Sequence, residues 1–214
     1  MKRCVFCDRE PASWSEEHVT PEWLLDHLRV TAQDQMFQGL GTADGSVNLP
    51  HRVHASRRFV EGRVCTGCNA GWMSRLETAA SPMLKDLIDG NRGLSSLTDA
   101  ERALLARWSV KTAYVIAGAS VAKWPVPPPH MLTLNGDDGQ IPGGVNVFAC
   151  QRTFDPEHLI NFIQSESWPQ FLGEGGAPVQ LSSARDAYKI AFSYKHLFLL
   201  VAFMPHSSAF TRQP

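Results

Sequence analysis

The sequence predicts an α+β fold, and three of its features carry that prediction. Two Cys-x-x-Cys knuckles, Cys4–Cys7 and Cys65–Cys68, frame the first part of the chain. A capped apolar stripe that begins after Thr98 predicts a long helix. Two apolar runs separated by Lys195-His196 predict a β-hairpin near the end of the sequence.

Composition and charge narrow the class of protein. Hydrophobic residues make up 43% of the chain and charged residues 19%, as in packed globular proteins. The formal net charge of -1 argues against a protein that coats nucleic acid through bulk charge. The sequence has no apolar run of the roughly 18 residues that a bilayer span needs, and Met1–Cys4 shows no export signal. We therefore expect a cytoplasmic protein without membrane contact, whose cysteines are reduced thiols or metal ligands.

The elements at the start of the chain follow from short local signals. We expect a short strand that ends at Glu17-His18. A helical turn should follow over Pro21–Leu28, because a proline in the first turn lacks only an N–H that would be unpaired there. Turn-forming residues between Gly39 and Ser46 predict a long loop. Arg57–Val64 is interpreted as a strand that leads into the second knuckle.

A helix is expected after Asn69, because apolar residues recur there at helical spacing. Ser81 and Pro82 interrupt that pattern. A serine followed by a proline is typical of a new helix start, so we expect a break or kink at this point. Asp89-Gly90-Asn91 should end the helix.

The second part of the chain predicts both helices and strands. Thr98 and Glu101 form a capping box for a helix of about five turns. The other expected elements are a stiff connector at Trp124–Pro129, a strand at Val145–Gln151, a short helix at Asp155–Ser165 and a hairpin of Tyr188–Tyr194 with Leu197–Met204. Cys150, the cysteine outside the knuckles, is expected to be a small buried hydrophobe.

We divide the chain into two predicted domains. Residues 1–93 contain both knuckles and most of the polar turn residues, whereas residues 94–214 contain the long helix and the hairpin. The second domain is assigned no role. A homodimer is compatible with the sequence but is not indicated by it.

Two Cys-x-x-Cys pairs can close one tetrahedral thiolate site. We therefore predict one structural Zn²⁺ ion held by the four knuckle cysteines, Cys4, Cys7, Cys65 and Cys68. Such a site would bring together Glu17, His18 and Asn69, which are far apart in the sequence.

These three residues have the chemistry of a small hydrolytic centre. A histidine can deprotonate water near neutral pH, because its ordinary pKa lies there. Mg²⁺ prefers oxygen ligands and keeps several waters, so one carboxylate and one amide oxygen can suffice from the protein. Glu17, His18 and Asn69 supply that set.

Three segments carry a resemblance to a known family: Glu17-His18-Val19-Thr20-Pro21, Asn48-Leu49 and Cys65-Thr66-Gly67-Cys68-Asn69. They resemble the HNH endonucleases, in the zinc-knuckle branch with the pattern E-H-x-x-P, N and C-x-x-C-N. The resemblance runs from about Cys4 to Glu77 and does not extend to residues 94–214. It implies a ββα-metal finger, which is a hairpin followed by a helix around one catalytic divalent ion, here Mg²⁺ or Mn²⁺.

The same resemblance implies roles for single residues. His18 would be the general base, and Glu17 a ligand of the catalytic ion. Asn69 is similar to the family's last ligand, and Asn48 matches a position that orients the base; an asparagine in a loop is also a common turn former. Glu77 is weighed between a role near the ion and that of a solvent-facing acid.

Arginines are concentrated before the second knuckle, where two interpretations stay open. They are Arg52, Arg57, Arg58 and Arg63, with His51 and His54 nearby as rival bases. The arginines either contact substrate phosphates or form a solvated strand face.

Two functions from different classes follow. The first is a metal-dependent HNH-type endonuclease that hydrolyses phosphodiester bonds in nucleic acid, with DNA favoured as substrate. The alternative is a non-catalytic zinc-knuckle module that binds nucleic acid or a protein partner. The adjacent Glu17-His18 pair favours the enzyme, because a knuckle alone does not need it.

Overall fold

A computed structural model of the chain describes residues 2–31, 34–41, 47–120, 126–153, 160–165, 171–172, 178–179 and 188–203. Residues 35–41, 47–56, 161, 163–165, 171–172 and 178–179 are described by their backbone. The architecture is mixed α+β, as the sequence predicts. Within the described ranges, no helix combines the length and the apolar composition that a membrane crossing requires.

The helices differ widely in length. They are α1 (Glu22–His27), α2 (Thr66–Cys68), α3 (Ser74–Asp89), α4 (Asp99–Ala119) and α5 (Pro128–Thr133). A π-helical turn, Asn69–Met73, joins α2 to α3, and 3-10 turns lie at Ser56–Arg58 and Leu94–Ser96.

The strands form small antiparallel sheets. They are β1 (Trp14–His18), β2 (Gln35–Gly41), β3 (Val47–Ala55), β4 (Val60–Cys65), β5 (Val145–Gln151), β6 (Ile160–Ser165), β7 (Phe171–Leu172), β8 (Pro178–Val179), β9 (Tyr188–Tyr194) and β10 (Leu197–Phe203). The largest described sheet has the order β5-β10-β9-β6, while β1 pairs with β4, β2 with β3, and β7 with β8. Each pair is antiparallel.

The β1–β4 pair and the helix behind it position the candidate site. The chain leaves β4 at Cys65 and enters α2, the π-helical turn and α3 without an intervening loop. The pairing contains a β-bulge: Ser15 lies opposite Val64, but Glu17 lies opposite Glu61, so β4 has one extra residue. A bulge bends its strand and changes the direction of nearby side chains. It lies directly before the Glu17-His18 pair.

Helix α4 is the central element of the core. Every residue from Trp108 to Ala117 is buried, as expected for a helix covered on all sides. On one side the Trp108 ring packs against Phe192 and Tyr194 of β9, with centroids 6.3 and 6.0 Å away. Burial of an aromatic side chain of this size contributes on the order of 4–6 kcal/mol relative to exposure.

The other side of α4 faces the β1–β4 pair. Gly118 approaches Glu61 so closely that a Cβ at this position would lie 1.8 Å from Oε2 of Glu61. Seven residues earlier, and therefore on the same helix face, Lys111 contacts Glu17. The core is continuous across residues 93 and 94, since buried residues of α3 and α4 belong to one cluster. The predicted division into two domains stays a prediction.

Several sequence-based expectations are confirmed. The capping box forms with both of its hydrogen bonds, between Thr98 and Glu101. Helix α4 has 21 residues, and β5 covers the predicted Val145–Gln151. The predicted hairpin forms as β9 and β10. Gly90 ends α3 in a left-handed conformation with φ of 75°, which glycine adopts without strain.

The long loop predicted around Gly39–Ser46 is wrong for the residues that the structure describes. Residues 39–41 form the end of β2, which pairs with β3 so that Leu40 lies opposite Asn48. Residues 42–46 lie outside the described ranges. Glycine weakens a strand locally, but pairing along a long hairpin outweighs that preference.

Of the break or kink expected at Ser81-Pro82, the break is wrong, because α3 continues through Pro82, and the kink stays a prediction. A proline cannot donate to the carbonyl four residues earlier, which here belongs to Thr78. The Ser81 hydroxyl donates to that carbonyl instead, at 3.4 Å. The departure from helical geometry lies earlier, at Gly71, where ψ is -114°.

Three further expectations are corrected. Pro128 and Pro129 open α5 and do not extend the connector, since proline suits the first helical turn. The short helix predicted at Asp155–Ser165 is wrong for residues 160–165, which form β6 by pairing with β9; residues 154–159 lie outside the described ranges. The strand predicted at Arg57–Val64 begins later, at Val60, after a 3-10 turn.

Cys150 is exposed, and its predicted burial is wrong. It lies on β5, an edge strand of the four-stranded sheet. Alternate side chains of a strand point to opposite faces, so an apolar neighbourhood in sequence does not bury every residue. Phe148, two residues earlier on the same face, is 57% exposed.

Candidate functional site

The four knuckle cysteines form one cluster of free thiols. All four sulfur atoms lie within 4.8 Å of one another. The Cys4 and Cys68 sulfurs are 3.9 Å apart, and those of Cys7 and Cys65 are 3.8 Å apart. Sulfurs that bind zinc tetrahedrally at about 2.3 Å lie about 3.8 Å from each other. The cluster can therefore hold a metal ion such as zinc.

Backbone geometry prepares both knuckles for this cluster. Cys65 caps the short helix α2, and its sulfur accepts a hydrogen bond from the Cys68 N–H at 3.3 Å. The Cys65 N–H in turn donates to the Cys4 sulfur at 3.3 Å. In the first knuckle, Asp8 adopts a left-handed φ of 53°, and its N–H donates to the Cys4 carbonyl. Each knuckle is thus a tight turn, and N–H groups of the second knuckle are directed at sulfur.

Hydrogen bonding within the cluster makes the thiol of Cys4 more acidic. The hydrogen bond from Cys68, supported by the Cys65 N–H, outweighs burial and lowers the pKa of Cys4 to about 4. The same pairing and burial raise the pKa of Cys68. A thiolate is the form that binds a metal ion, so a lowered pKa at Cys4 favours metal binding.

A second feature lies next to the cluster: a cavity of about 490 Å³ between the end of β1, α1 and the start of α3. It is lined by residues that include Glu17, His18, Asn69 and Glu77. Three of the sequence-predicted site residues therefore share one cavity. We call it the His18 cavity.

His18 and Glu17 are neighbours with different exposure. The His18 side chain is 28% exposed, and its Nε2 lies 4.0 Å from Oε1 of Glu22. Glu17 is buried, with 8% of its side chain exposed. The strand alternation turns the two side chains to different sides, so the histidine is accessible from solvent while the carboxylate lies at the base of the cavity.

Asn69 lines the same cavity from the π-helical turn that it begins. Its amide nitrogen donates to the Ser15 hydroxyl at 2.7 Å and to the Glu16 carbonyl at 3.4 Å. These bonds connect the helix start to β1. Because they use the nitrogen, the amide oxygen is the atom of Asn69 that is able to bind a cation.

Lys111 of α4 contacts Glu17 from the buried side. Its side chain is completely buried, and its Nζ donates to Oε1 of Glu17 at 2.9 Å and to Oε1 of Glu77. The other oxygen of Glu77 accepts a hydrogen bond from the Trp23 indole at 3.1 Å. We call Glu17, Lys111 and Glu77 the buried triad.

The triad shifts the protonation of its members. Burial alone would lower the pKa of Lys111, but the adjacent Glu17 and Glu77 carboxylates outweigh burial and raise it. Lys111 is therefore a charged ammonium. Burial raises the pKa of Glu77 by more than Lys111 lowers it. The nearby Glu17 carboxylate raises the pKa of Glu77 further, because a like charge disfavours the ionised form.

The predicted arginines are dispersed around the molecule. Arg63 binds Glu61 through two nitrogens, both at 3.0 Å, and lines a different cavity of about 510 Å³. Arg57 donates to the Val30 carbonyl and pairs with Asp26. Arg58 is exposed. None of these three lines the His18 cavity.

The side chains of Asn48, Arg52, His51 and His54 lie outside the described part of the structure, and the predictions made for them stay predictions. The backbone of all four belongs to β3.

Sequence reasoning missed Lys111 and underestimated Glu77. The available signal for Lys111 was a lysine within an otherwise apolar helical stripe, between Trp108 and Val115. A charged residue on a core-facing stripe is expected to have a buried partner of opposite charge. The partner itself could not be identified, because Glu17 and Glu77 belong to other elements.

Comparison with known proteins finds no significant match: no protein-family model, no curated protein and no solved structure is similar to this chain.

Proposed function

We propose that this protein is a metal-dependent endonuclease of the HNH type that hydrolyses phosphodiester bonds in nucleic acid, with DNA as the favoured substrate. One observation carries the proposal. Glu17, His18 and Asn69 line one cavity, although Glu17 and His18 end β1 and Asn69 begins the π-helical turn after α2. The antiparallel β1–β4 pair followed at once by a helix supports the ββα-metal finger as the architecture of this region.

The residues present fit a divalent ion of the Mg²⁺ or Mn²⁺ class. Glu17 offers a buried carboxylate at the cavity, and Asn69 offers an amide oxygen. Oxygen ligands of this kind suit hard cations, whereas the thiolate cluster suits zinc. The described lining also contains Glu16, Glu22 and Glu77, which make the cavity acidic. When bound, the ion would neutralise charge on the substrate phosphate and on the leaving oxygen.

His18 is the residue that would move a proton. Its side chain reaches the cavity and is partly open to solvent, so it can contact a water molecule directly. A histidine in this position accepts a proton from water as the water attacks the phosphorus atom.

The four knuckle cysteines would hold a structural zinc ion that has no part in the reaction. Their cluster joins the segment before β1 to the start of the helix that carries Asn69. The zinc would thereby hold the walls of the His18 cavity together. Structural zinc contributes folding free energy directly, since the unfolded chain lacks a preformed site.

A non-catalytic knuckle module is the second candidate, and one observation favours it. Among the described residues that line the His18 cavity are four glutamates and no arginine or lysine. An acidic surface repels nucleic-acid phosphates unless cations lie between them. On this alternative, the cavity would receive a cationic group of a protein partner.

A cleavage assay separates the two candidates. Zinc-loaded protein is incubated with plasmid and single-stranded DNA, and in parallel with RNA, in the presence of Mg²⁺, Mn²⁺ or EDTA. If the protein is a nuclease, cleavage should stop with mild EDTA and return with added Mg²⁺ or Mn²⁺, while the zinc content is unchanged. Absence of cleavage of every substrate under all metal conditions contradicts the nuclease. Cleavage that persists after removal of loosely bound ions contradicts the one-ion mechanism.

A further inference from the structure

The buried triad connects the candidate site to a part of the chain that the HNH resemblance does not cover. Lys111 lies on α4, whereas Glu17 ends β1 and Glu77 lies on α3. A completely buried lysine is rare in proteins unless it is paired, and here one ammonium contacts two carboxylates. Such a group fixes the positions of both partners.

The two carboxylates of the triad are not equivalent. Both oxygens of Glu77 are engaged, one by Lys111 and the other by the Trp23 indole. Glu17 is contacted by Lys111 through Oε1. Within the described residues no hydrogen bond uses Oε2 of Glu17, and Glu17 lines the cavity. The arrangement therefore selects Glu17 over Glu77 as the carboxylate that can receive an ion.

We propose that Lys111 is a positioning residue whose ammonium orients the Glu17 carboxylate toward the His18 cavity. The same ammonium takes the place of a second cation between Glu17 and Glu77. The site therefore accepts one divalent ion. This inference rests on the proposed function, because it concerns the ion that Glu17 would bind.

The charge balance of the triad supports this role. Two carboxylates close enough to share one nitrogen repel each other strongly in a buried setting. When both carboxylates are ionised, the ammonium leaves the triad with one net negative charge, which one divalent ion can complement. Without the lysine, two buried carboxylates would face each other without compensation, and a second cation would be the simplest replacement.

The test measures Mn²⁺ binding to zinc-loaded protein by electron paramagnetic resonance, in the absence of substrate. Removal of Lys111 alone leaves two uncompensated buried carboxylates and can unfold the chain. The decisive variant is therefore Lys111→Met combined with Glu77→Gln, which removes one positive and one negative charge. In the double variant the glutamine can still accept the hydrogen bond from Trp23. Lys195→Met is the matched control. Lys195 pairs with Asp89, with Nζ and Oδ1 2.9 Å apart, and neither residue lines the His18 cavity.

Wild-type protein should bind one Mn²⁺, and Glu17→Gln should bind it at least about tenfold more weakly. The double variant should fold but bind Mn²⁺ about 10–100 times more weakly, since residues that orient a metal ligand typically contribute that factor. Its cleavage should need correspondingly more Mg²⁺, with a smaller change in rate at saturating Mg²⁺. Where Lys111→Met alone folds, it should bind a second Mn²⁺. Lys195→Met should bind as wild type does.

Two outcomes overturn different parts of this account. If the wild-type protein binds Mn²⁺ at Glu17 but the double variant binds it equally well and needs no more Mg²⁺, Lys111 is merely structural and the proposed function stands. If the wild-type protein binds no Mn²⁺ that depends on Glu17, the ion site of the proposed function is wrong, and the inference is wrong with it.

Discussion

The cysteine cluster and the His18 cavity lie side by side but are built in different ways. The cluster takes all its ligands from two short turns in which each pair is three residues apart. The His18 cavity takes its walls from β1, α1 and α3 and its buried counter-charge from α4. The first feature is therefore determined by local spacing, and the second by packing of distant elements. The two should respond differently to mutation.

The largest effect is expected from removal of a cluster ligand. Cys65→Ser removes one thiolate and the cap of α2, and zinc sites contribute about 10–16 kcal/mol in small zinc-dependent peptides. That is as large as the whole stability of a typical domain, so the variant should lose zinc and fail to fold. Zinc content and circular dichroism measure this outcome.

Cys150→Ser is the matched control for that prediction, since Cys150 is exposed and outside the cluster. It should retain zinc and fold normally. A Cys65→Ser protein that is folded and free of zinc would show that the cluster is not a structural metal site.

The second prediction separates chemistry from folding. His18→Ala should reduce cleavage by about 10²–10⁴-fold, the typical contribution of a general base. Because the side chain is partly exposed, the thermal unfolding midpoint and zinc content should stay close to those of wild type. If His18→Ala cleaves at the wild-type rate, the base is another residue, and His51→Ala and His54→Ala should then be compared.

The third prediction concerns the ligands of the catalytic ion. Glu17→Gln replaces a charged ligand with a neutral one. Half-maximal cleavage should therefore need at least about tenfold more Mg²⁺. Asn69→Ala should act in the same direction. Asn48→Ala should lower the rate with little change in the Mg²⁺ requirement. An unchanged Mg²⁺ dependence in Glu17→Gln would remove Glu17 from the ion site.

The smallest effect is expected at a structural ion pair far from both features. A hydrogen bond from Arg92 and a weaker contribution from the Thr98 N–H lower the pKa of Glu101 to about 2. This stabilisation is present above the unfolded-state pKa of about 4.3 and is lost as the pH falls toward about 2. Glu101→Gln should therefore lower the unfolding midpoint at pH 7 by a few degrees at most. The difference from wild type should shrink between about pH 4 and pH 2, with zinc content and cleavage at pH 7 unchanged.

A constant difference between the two proteins across that pH range would show that Glu101 acts as a neutral cap. Either result leaves the comparison between cluster and cavity intact. The measurement supplies a baseline for purely structural change, against which the effects of His18 and Glu17 variants are judged.

Local signals predicted much of the fold. The Thr98 capping box, helix α4 and the β9–β10 hairpin all follow from residues that are near each other in sequence. The errors occur where a residue's preference depends on its partner. The β2–β3 hairpin forms in spite of its glycines because the strands pair. Helix α3 passes through Pro82, and the Ser81 hydroxyl donates to the carbonyl that Pro82 leaves without an N–H donor.

The candidate site shows the same boundary. The sequence by itself determined the cysteine set, because a thiolate site needs only two closely spaced pairs. Its residue types made Glu17, His18 and Asn69 candidates for a site. Only the tertiary structure decided that Glu17 is buried and bound to Lys111. A single sequence carries no direct record of which lysine meets which glutamate, since that contact depends on how α4 packs across β1 and β4. The physical reason is that a buried charge is stable only beside a partner, and packing of the folded chain selects that partner.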